Sequence, residues 1–330
     1  MSAQLRATGN GLPRRYQRGV ALITAVLIVA LATVLAVQVG YQAFLDQRRT
    51  VTTLSLDQGY QVALGAEAWV ADVLQKDARQ SAKTDDYTEE WAMRLPPLPI
   101  DGGEITGFVE DMQGRFNLNS LVKWDETTNT LVTDQAAVAR FRRLLEILEI
   151  EDKWAGLIAD WIDQDIDAEF PDGAEDPVYT ALTPPYRTAN MPITRTSELL
   201  AIAEFGLERY QRLEPHITAL PVGTPINLCT ATPEVLDALT SKQRQFTLAA
   251  QSTAQTRQQR CFPSLADFQA QLTDPKEKTE LIDGKVVGET SSYFRLTTVV
   301  TLGTTQLTMY SLLYRQNNLV RPIQRSIGTP

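Results

Sequence analysis

Residues 20–45, VALITAVLIVALATVLAVQVGYQAFL, contain no charged side chain. As a helix rising about 1.5 Å per residue this stretch is roughly 39 Å long, enough to cross a hydrocarbon layer about 30 Å thick. The helical pattern continues beyond Asp46-Gln47-Arg48-Arg49. Val62, Ala66, Trp69 and Val73 recur at i, i+4, i+7 and i+11, one face of an amphipathic helix, with Asp57, Gln61, Glu67 and Asp72 on the polar side. One helix from about residue 20 to 79 is predicted, roughly 90 Å long. Its first half belongs in an apolar medium and its second half against a folded body. Pro96-Pro97-Leu98-Pro99 and Asp101-Gly102-Gly103 then break the chain. Glu104–Glu110 alternates as a strand. Ser292–Leu302 is alternating and β-branched, Gly303-Thr304-Thr305 turns the chain, and Gln306–Tyr314 returns. Between these strands the periodicity is helical, over Ala136–Glu149, Lys153–Ile162, Ser197–Glu204 and Pro233–Leu239. The expected fold class is α+β: a long N-terminal transmembrane helix, then an antiparallel sheet interrupted by a large inserted α-helical domain. Phe116-Asn117-Leu118-Asn119-Ser120-Leu121 echoes Ile226-Asn227-Leu228-Cys229-Thr230-Ala231, each followed by a helix, which points to a two-part insert.

Charge refines this picture. The net charge of −9 hides a basic start: Arg6, Arg14, Arg15 and Arg18, with no acid before residue 20, leave −13 on the remainder. The arginines just ahead of the apolar segment keep the N-terminus in the cytoplasm and place the body across the membrane. A body this acidic has no electrostatic footprint for nucleic acid and is repelled by anionic lipid, so attachment comes from apolar burial. Divalent cations are its natural partners.

The chemistry-bearing residues are few. One histidine and two cysteines cannot build a Cys/His zinc cluster, and HExxH, Walker A and GxGxxG motifs are absent. His216 follows Pro215 in a helix-ending stretch and reads as a surface or capping residue. No sign of an enzyme emerges. The richest segment is acidic: Asp160, Asp163, Asp165, Asp167, Glu169, Asp172, Glu175 and Asp176 occur with no cation among them. Like charges at this density repel one another. Asp163, Asp165 and Asp167 alternate as at the start of a calcium loop, and Trp161, Phe170, Pro171 and Tyr179 frame the segment as folded structure. Calcium takes 6–8 oxygen ligands, which such a loop can supply. It is not an EF-hand, because Ala168 and Ala174 stand where glycine at position 6 and glutamate at position 12 are required. Asp163, Asp165, Asp167, Glu175 and Asp176 are the candidate ligands.

The leader Pro13-Arg14-Arg15-Tyr16-Gln17-Arg18-Gly19, abutting a long uncharged helix, resembles type IV prepilins and type II secretion pseudopilins. The body resembles the K-type minor pseudopilins, the general secretion pathway protein K family. That likeness rests on Asp160-Trp161-Ile162-Asp163-Gln164-Asp165, Gly173-Ala174-Glu175-Asp176, Pro184-Pro185-Tyr186-Arg187, Ser197-Glu198-Leu199 and Pro225-Ile226-Asn227. The resemblance implies cleavage by prepilin peptidase between Gly19 and Val20, with N-terminal methylation, although Val20 replaces the usual phenylalanine. It also implies a structural calcium in the acidic segment. The fifth mature residue is Thr24, where most pseudopilins carry the glutamate that engages a neighbouring subunit; K-type members lack that glutamate. Cys229 stands where relatives usually have asparagine.

The implied organisation is a leader (1–19), a transmembrane or filament-core helix (20–45), a pilin-like α/β domain (46–115 and 285–318), an inserted α-helical domain (116–284) and a C-terminal tail (319–330). The implied setting is the bacterial inner membrane, single-pass, with the body in the periplasm and at the pseudopilus tip when assembled. Implied partners are the I- and J-type minor pseudopilins, the major pseudopilin, the inner-membrane secretion platform and the exported substrate. In the oxidising periplasm Cys229 and Cys261 read as a disulfide, with two free buried thiols as the other reading. The alternative function is a membrane-anchored periplasmic metal-dependent hydrolase built on the acidic loop.

Overall fold

The computed structural model describes residues 17–80, 83–241, 244–317 and 319–329. Most of the proposed leader, residues 1–16, lies outside the described residues. The apolar stretch and the amphipathic stretch form one helix, α1 (Gln17–Gln80). Two compact units divide along it, the first ending at Gln58 and the second beginning at Gly59. Within the first unit the apolar side chains are uncovered: Leu22, Ile23, Leu27, Leu31 and Leu35 are all more than half exposed. Apolar surface that continuous requires a lipid or protein cover.

In the second unit the remainder of α1 packs on a five-stranded antiparallel sheet. Its strands are β1 (Leu98–Ile100), β2 (Gly103–Asp111), β9 (Tyr293–Leu302), β10 (Thr305–Gln316) and β11 (Leu319–Ile327), in that spatial order. β2 and β9 are neighbours, with Ile105 opposite Val300 and Asp111 opposite Phe294, although 181 residues separate their facing ends. Val70, Val73, Leu74 and Trp91 pack with Phe294, Leu296 and Leu313 to form one core, and Ala63 with Val300, Leu302, Leu307 and Met309 forms another.

Two details differ from the sequence reading. The buried face of α1 is rotated by about one residue: Gly59, Ala63, Glu67, Val70 and Leu74 point inward, while Trp69 is half exposed. Glu67, assigned to the polar side, is buried because Arg325 reaches it with two hydrogen bonds of 2.8 Å and Ser311 donates a third of 2.6 Å. Burial alone raises its pKa, and these bonds overcome that and lower it. Residues 319–327, expected as a tail, are the edge strand β11. Pro322 has no N–H to give, and the register between β10 and β11 shifts at Leu312/Leu313, next to its pairing with Leu313. A proline and a bulge at a sheet edge both discourage pairing with another chain.

The segment between β2 and β9 folds around its own large core, which includes Phe116, Phe141, Trp154, Tyr179, Phe205 and Phe268. Its helices are α2 (Gln135–Ile147), α3 (Trp154–Ile162), α4 (Asp176–Thr180), α5 (Leu207–Leu213), α6 (Pro233–Leu239), α7 (Gln245–Leu248), α8 (Ala250–Arg257) and α9 (Leu265–Gln271). Thr196–Ala201 is a 3-10 turn where a longer helix was expected. The short strands are β3 (Phe116–Asn117), paired in parallel with β6 (Ile217–Thr218), the hairpin β4 (Val122–Asp125) with β5 (Thr130–Thr133), and β7 (Ile226–Asn227), paired in parallel with β8 (Val287–Gly288). The echo between 116–121 and 226–231 is structural. In each copy the strand ends on an asparagine whose Oδ1 accepts an N–H two residues on, from Asn119 at 3.2 Å and from Cys229 at 3.0 Å. Each asparagine starts the turn that launches its helix, α2 or α6.

Asp111, at the end of β2, joins the insert to the sheet. It accepts hydrogen bonds from Thr230 (2.5 Å), Ser291 (2.6 Å), Asn227 (2.9 Å) and the N–H of Gln113 (2.8 Å). Its pKa is nevertheless raised, because complete burial outweighs those donors. Cys229 and Cys261 form a disulfide across 32 residues. His216 sits at the start of α6, with Nδ1 2.9 Å from Thr232 Oγ1 and 3.4 Å from Glu234.

Candidate cation site in the acidic loop

α3 brings the acidic segment into the core. It is apolar nearly throughout (WAGLIADWI), so it packs inward and carries Asp160 and its C-cap, Asp163, with it. Asp160 does not face the solvent. Its carboxylate accepts the N–H of Ala174 at 2.8 Å and of Glu169 at 3.2 and 3.3 Å, folding residues 169–174 back over the helix end. Gly173 permits this: a Cβ there would stand 2.3 Å from Asp160 Oδ2 and from Glu169 N. Burial raises the Asp160 pKa to about 7, with Asp163 and Glu175 adding to the effect.

The fold-back sets Glu175 beside Asp163. Carboxylate oxygens of Asp163, Asp165 and Glu175 all lie within 4.8 Å of one another. Asp163 and Glu175 are buried, at 1% and 3% exposure, and each satisfies only one oxygen. Thr133 donates to Asp163 Oδ2 at 2.8 Å, and Thr188 to Glu175 Oε2 at 3.1 Å. Asp163 Oδ1 and Glu175 Oε1 are buried with no partner. Asn190 closes the loop by donating Nδ2 to the carbonyl of Asp165 at 2.8 Å, and its Oδ1 is also buried and unpartnered. Burial raises the pKa of Asp163 to about 7, and Asp165, Glu175 and Glu169 push the same way. Burial raises that of Glu175 as well.

Unpartnered acceptors in a low-dielectric setting are costly, and two like charges there are more so. A hard divalent cation answers both problems, since it neutralises the carboxylates and takes up their free lone pairs. The residues present therefore fit the expected calcium. Asp163, Asp165 and Glu175 would hold it.

Of the five ligands expected from sequence, these three converge. Asp167 is exposed and gives its N–H to Asp165 Oδ1 at 2.9 Å. Asp176 accepts from Thr188 N and Oγ1, both at 3.2 Å, and lies 3.6 Å from Arg187. Asn190, Thr133 and Thr188 escaped sequence reading because they carry no charge and come from outside the acidic segment. Asn190 leaves one trace, a positive φ of 45°, which asparagine tolerates better than most residues.

This architecture, a long apolar helix leading into an antiparallel sheet interrupted by a helical insert, places the chain among pilin-like secretion proteins. Residues 114–222, which include the acidic loop, match the family described as type II secretion system protein K. Type II secretion system protein K of Pseudomonas aeruginosa is 33% identical over 326 residues, covering 96% of this chain and 94% of its own. The Pectobacterium carotovorum protein of the same name is 33% identical over 325 residues, covering 96% and 98%. A chain in the crystal structure of the GspK-GspI-GspJ complex from enterotoxigenic Escherichia coli superposes with a TM-score of 0.73 at 25% identity, covering 86% of this chain and all of that one. The chain belongs to the type II secretion system protein K family. The comparisons give no support to a metal-dependent hydrolase.

Proposed function

We propose that this protein is the minor pseudopilin at the tip of a type II secretion pseudopilus, a structural subunit without catalysis. The observation that carries the reading is likeness to type II secretion protein K along almost the whole chain, in a molecule whose N-terminal helix leaves its apolar side chains uncovered. Before assembly the helix spans the inner membrane, with the arginines in the cytoplasm and the body in the periplasm. Prepilin peptidase cuts between Gly19 and Val20 and the new terminus is methylated. The same helix surface then passes from lipid into the filament. I- and J-type minor pseudopilins are its neighbours, by analogy with the solved complex. The major pseudopilin lies below, and the inner-membrane platform drives assembly.

Thr24 supports a terminal position. Its hydroxyl is directed back to its own helix, to the carbonyls of Val20 at 3.1 Å and Ala21 at 3.0 Å, and cannot supply the charge a glutamate offers a subunit above. The helical insert blocks a further layer of subunits and offers a surface for the exported protein. Calcium at Asp163, Asp165 and Glu175 rigidifies that insert.

Co-purification tests the reading. Tagged protein extracted in detergent from cells expressing the I- and J-type partners is expected to carry both in a defined complex. Recovery of this chain alone, with both partners present in the extract, would contradict it.

A further inference from the structure

Arg257 is a guanidinium buried without an acid. It is 7% exposed, and no carboxylate among the described residues forms an ion pair with it. It ends α8, and two of its five N–H groups are used: Nε donates to the carbonyl of Phe262 at 2.6 Å and Nη2 to that of Leu228 at 3.0 Å. Those carbonyls adjoin Cys261 and Cys229, so the arginine bridges the two chain segments that the disulfide joins. Nη1 has no hydrogen bond among the described residues. Burial lowers the pKa of Arg257, and Tyr87 opposes that shift.

The side chain lines a cavity of about 320 Å³ whose other walls are Tyr87, Pro233, Ala250, Thr253, Ala254 and Gln258. Ala250 and Ala254, and Thr253 and Arg257, are spaced by four on α8, so they share one face of the helix. Thr253 and Arg257 are buried on the floor, whereas Ala254, Gln258 and Tyr87 are exposed at the rim. The two alanines leave the space. A buried cation with free donors, facing an open cavity, is in the situation an anion resolves.

The geometry points to this cavity as a receptor for a carboxylate carried on a residue-sized group, held by the free edge of the Arg257 guanidinium with Thr253 beside it. A guanidinium fork matches the two oxygens of a carboxylate. A monoanion suits the single positive charge, and the acidic body disfavours ligands with more negative charge.

The test uses the full chain in detergent with calcium saturating, so that added carboxylate does not act by chelation. Sodium acetate is titrated against sodium chloride at equal ionic strength while the melting temperature is read. Acetate at about ten times its Kd is expected to raise the midpoint by roughly 3 °C over chloride. Arg257→Gln should abolish the difference. Because that variant also loses the bridge between the cysteine segments, Ala254→Phe provides the second arm: it fills the cavity from an exposed position, keeps Arg257, and should abolish the difference too. N-acetyl-triglycine with a free C-terminus, compared with its amide, identifies the source. Binding at least tenfold tighter than acetate and lost on amidation assigns a peptide terminus. Equal binding of acetate and peptide assigns a small free acid. Identical acetate and chloride curves, or an Ala254→Phe variant that responds like the parent, would overturn the proposal.

Discussion

Asp163 Oδ1 and Glu175 Oε1 are the atoms on which the cation reading turns, since each is buried, acidic and without a donor. Glu175→Gln and Asp163→Asn remove one ligand charge each while keeping the shape. For the parent, calcium at about a hundred times its Kd is expected to add about 2.7 kcal/mol, seen as a rise of several degrees in melting temperature. Either variant should lose most of that rise by calorimetry, and a variant that keeps it would exclude its residue as a ligand. The proton competes for the same site. In the ion-free protein the Asp163 pKa is raised to about 7 from 3.8, so the folded state binds more protons between those values and the group stabilises least at high pH. Asp160, also near 7, acts in the same direction, while His216, whose pKa burial lowers, acts oppositely below about 6.5. Subtraction removes these background effects. The melting temperature in calcium minus that in EDTA should grow from pH 6 to pH 8, and a difference independent of pH would contradict Asp163 as a ligand. The alternating acids were visible in the sequence, but not which of them converge. That choice is made by Asp160 and Gly173, which fold the loop back, and by neutral residues far away in the chain.

The elements were easiest to read where one rule governed them. α1, β2, β9 and β10 follow clean periodicities and appear within a residue or two of their expected ends. Reading was poorer where a distant partner decides. Glu67 looked solvent-facing because its partner, Arg325, lies 258 positions away on a strand disguised by Pro322. Arg325→Ala strands a buried carboxylate, and a loss of about 2 kcal/mol in urea unfolding is expected, the scale of a hydrogen bond to a charged group. An unchanged midpoint would mean that Glu67 finds water instead. The depressed Glu67 pKa adds a sign: this stabilisation is present above its unfolded value of about 4.5 and fades as the pH falls below it. The disulfide closes a 32-residue separation, for which the loop-entropy estimate is about 3–4 kcal/mol. Cys229→Ser with Cys261→Ser should shift the denaturant midpoint accordingly, and so should reduction of the parent. A parent equally stable with and without reductant would argue against the bridge.

At the scale of the whole molecule, two chemistries occur in one chain. A helix with its apolar surface uncovered is followed by an acidic body whose core is built mainly by the insert. The division was legible because hydropathy and charge change abruptly near residue 46, and the insert because β-strand pattern occurs only at its two sides. The pairing of β2 with β9 across the insert was not legible from periodicity, which is local; the resemblance to a known family supplied it. A filament subunit and a permanently tethered protein would share everything in this fold except the fate of the N-terminus. Intact-mass spectrometry of the mature protein, purified from cells that contain prepilin peptidase, therefore tests the account most directly. The account predicts a chain beginning at Val20, one methyl group heavier than the bare sequence. A mature chain that still carries Arg14, Arg15 and Arg18 would contradict it.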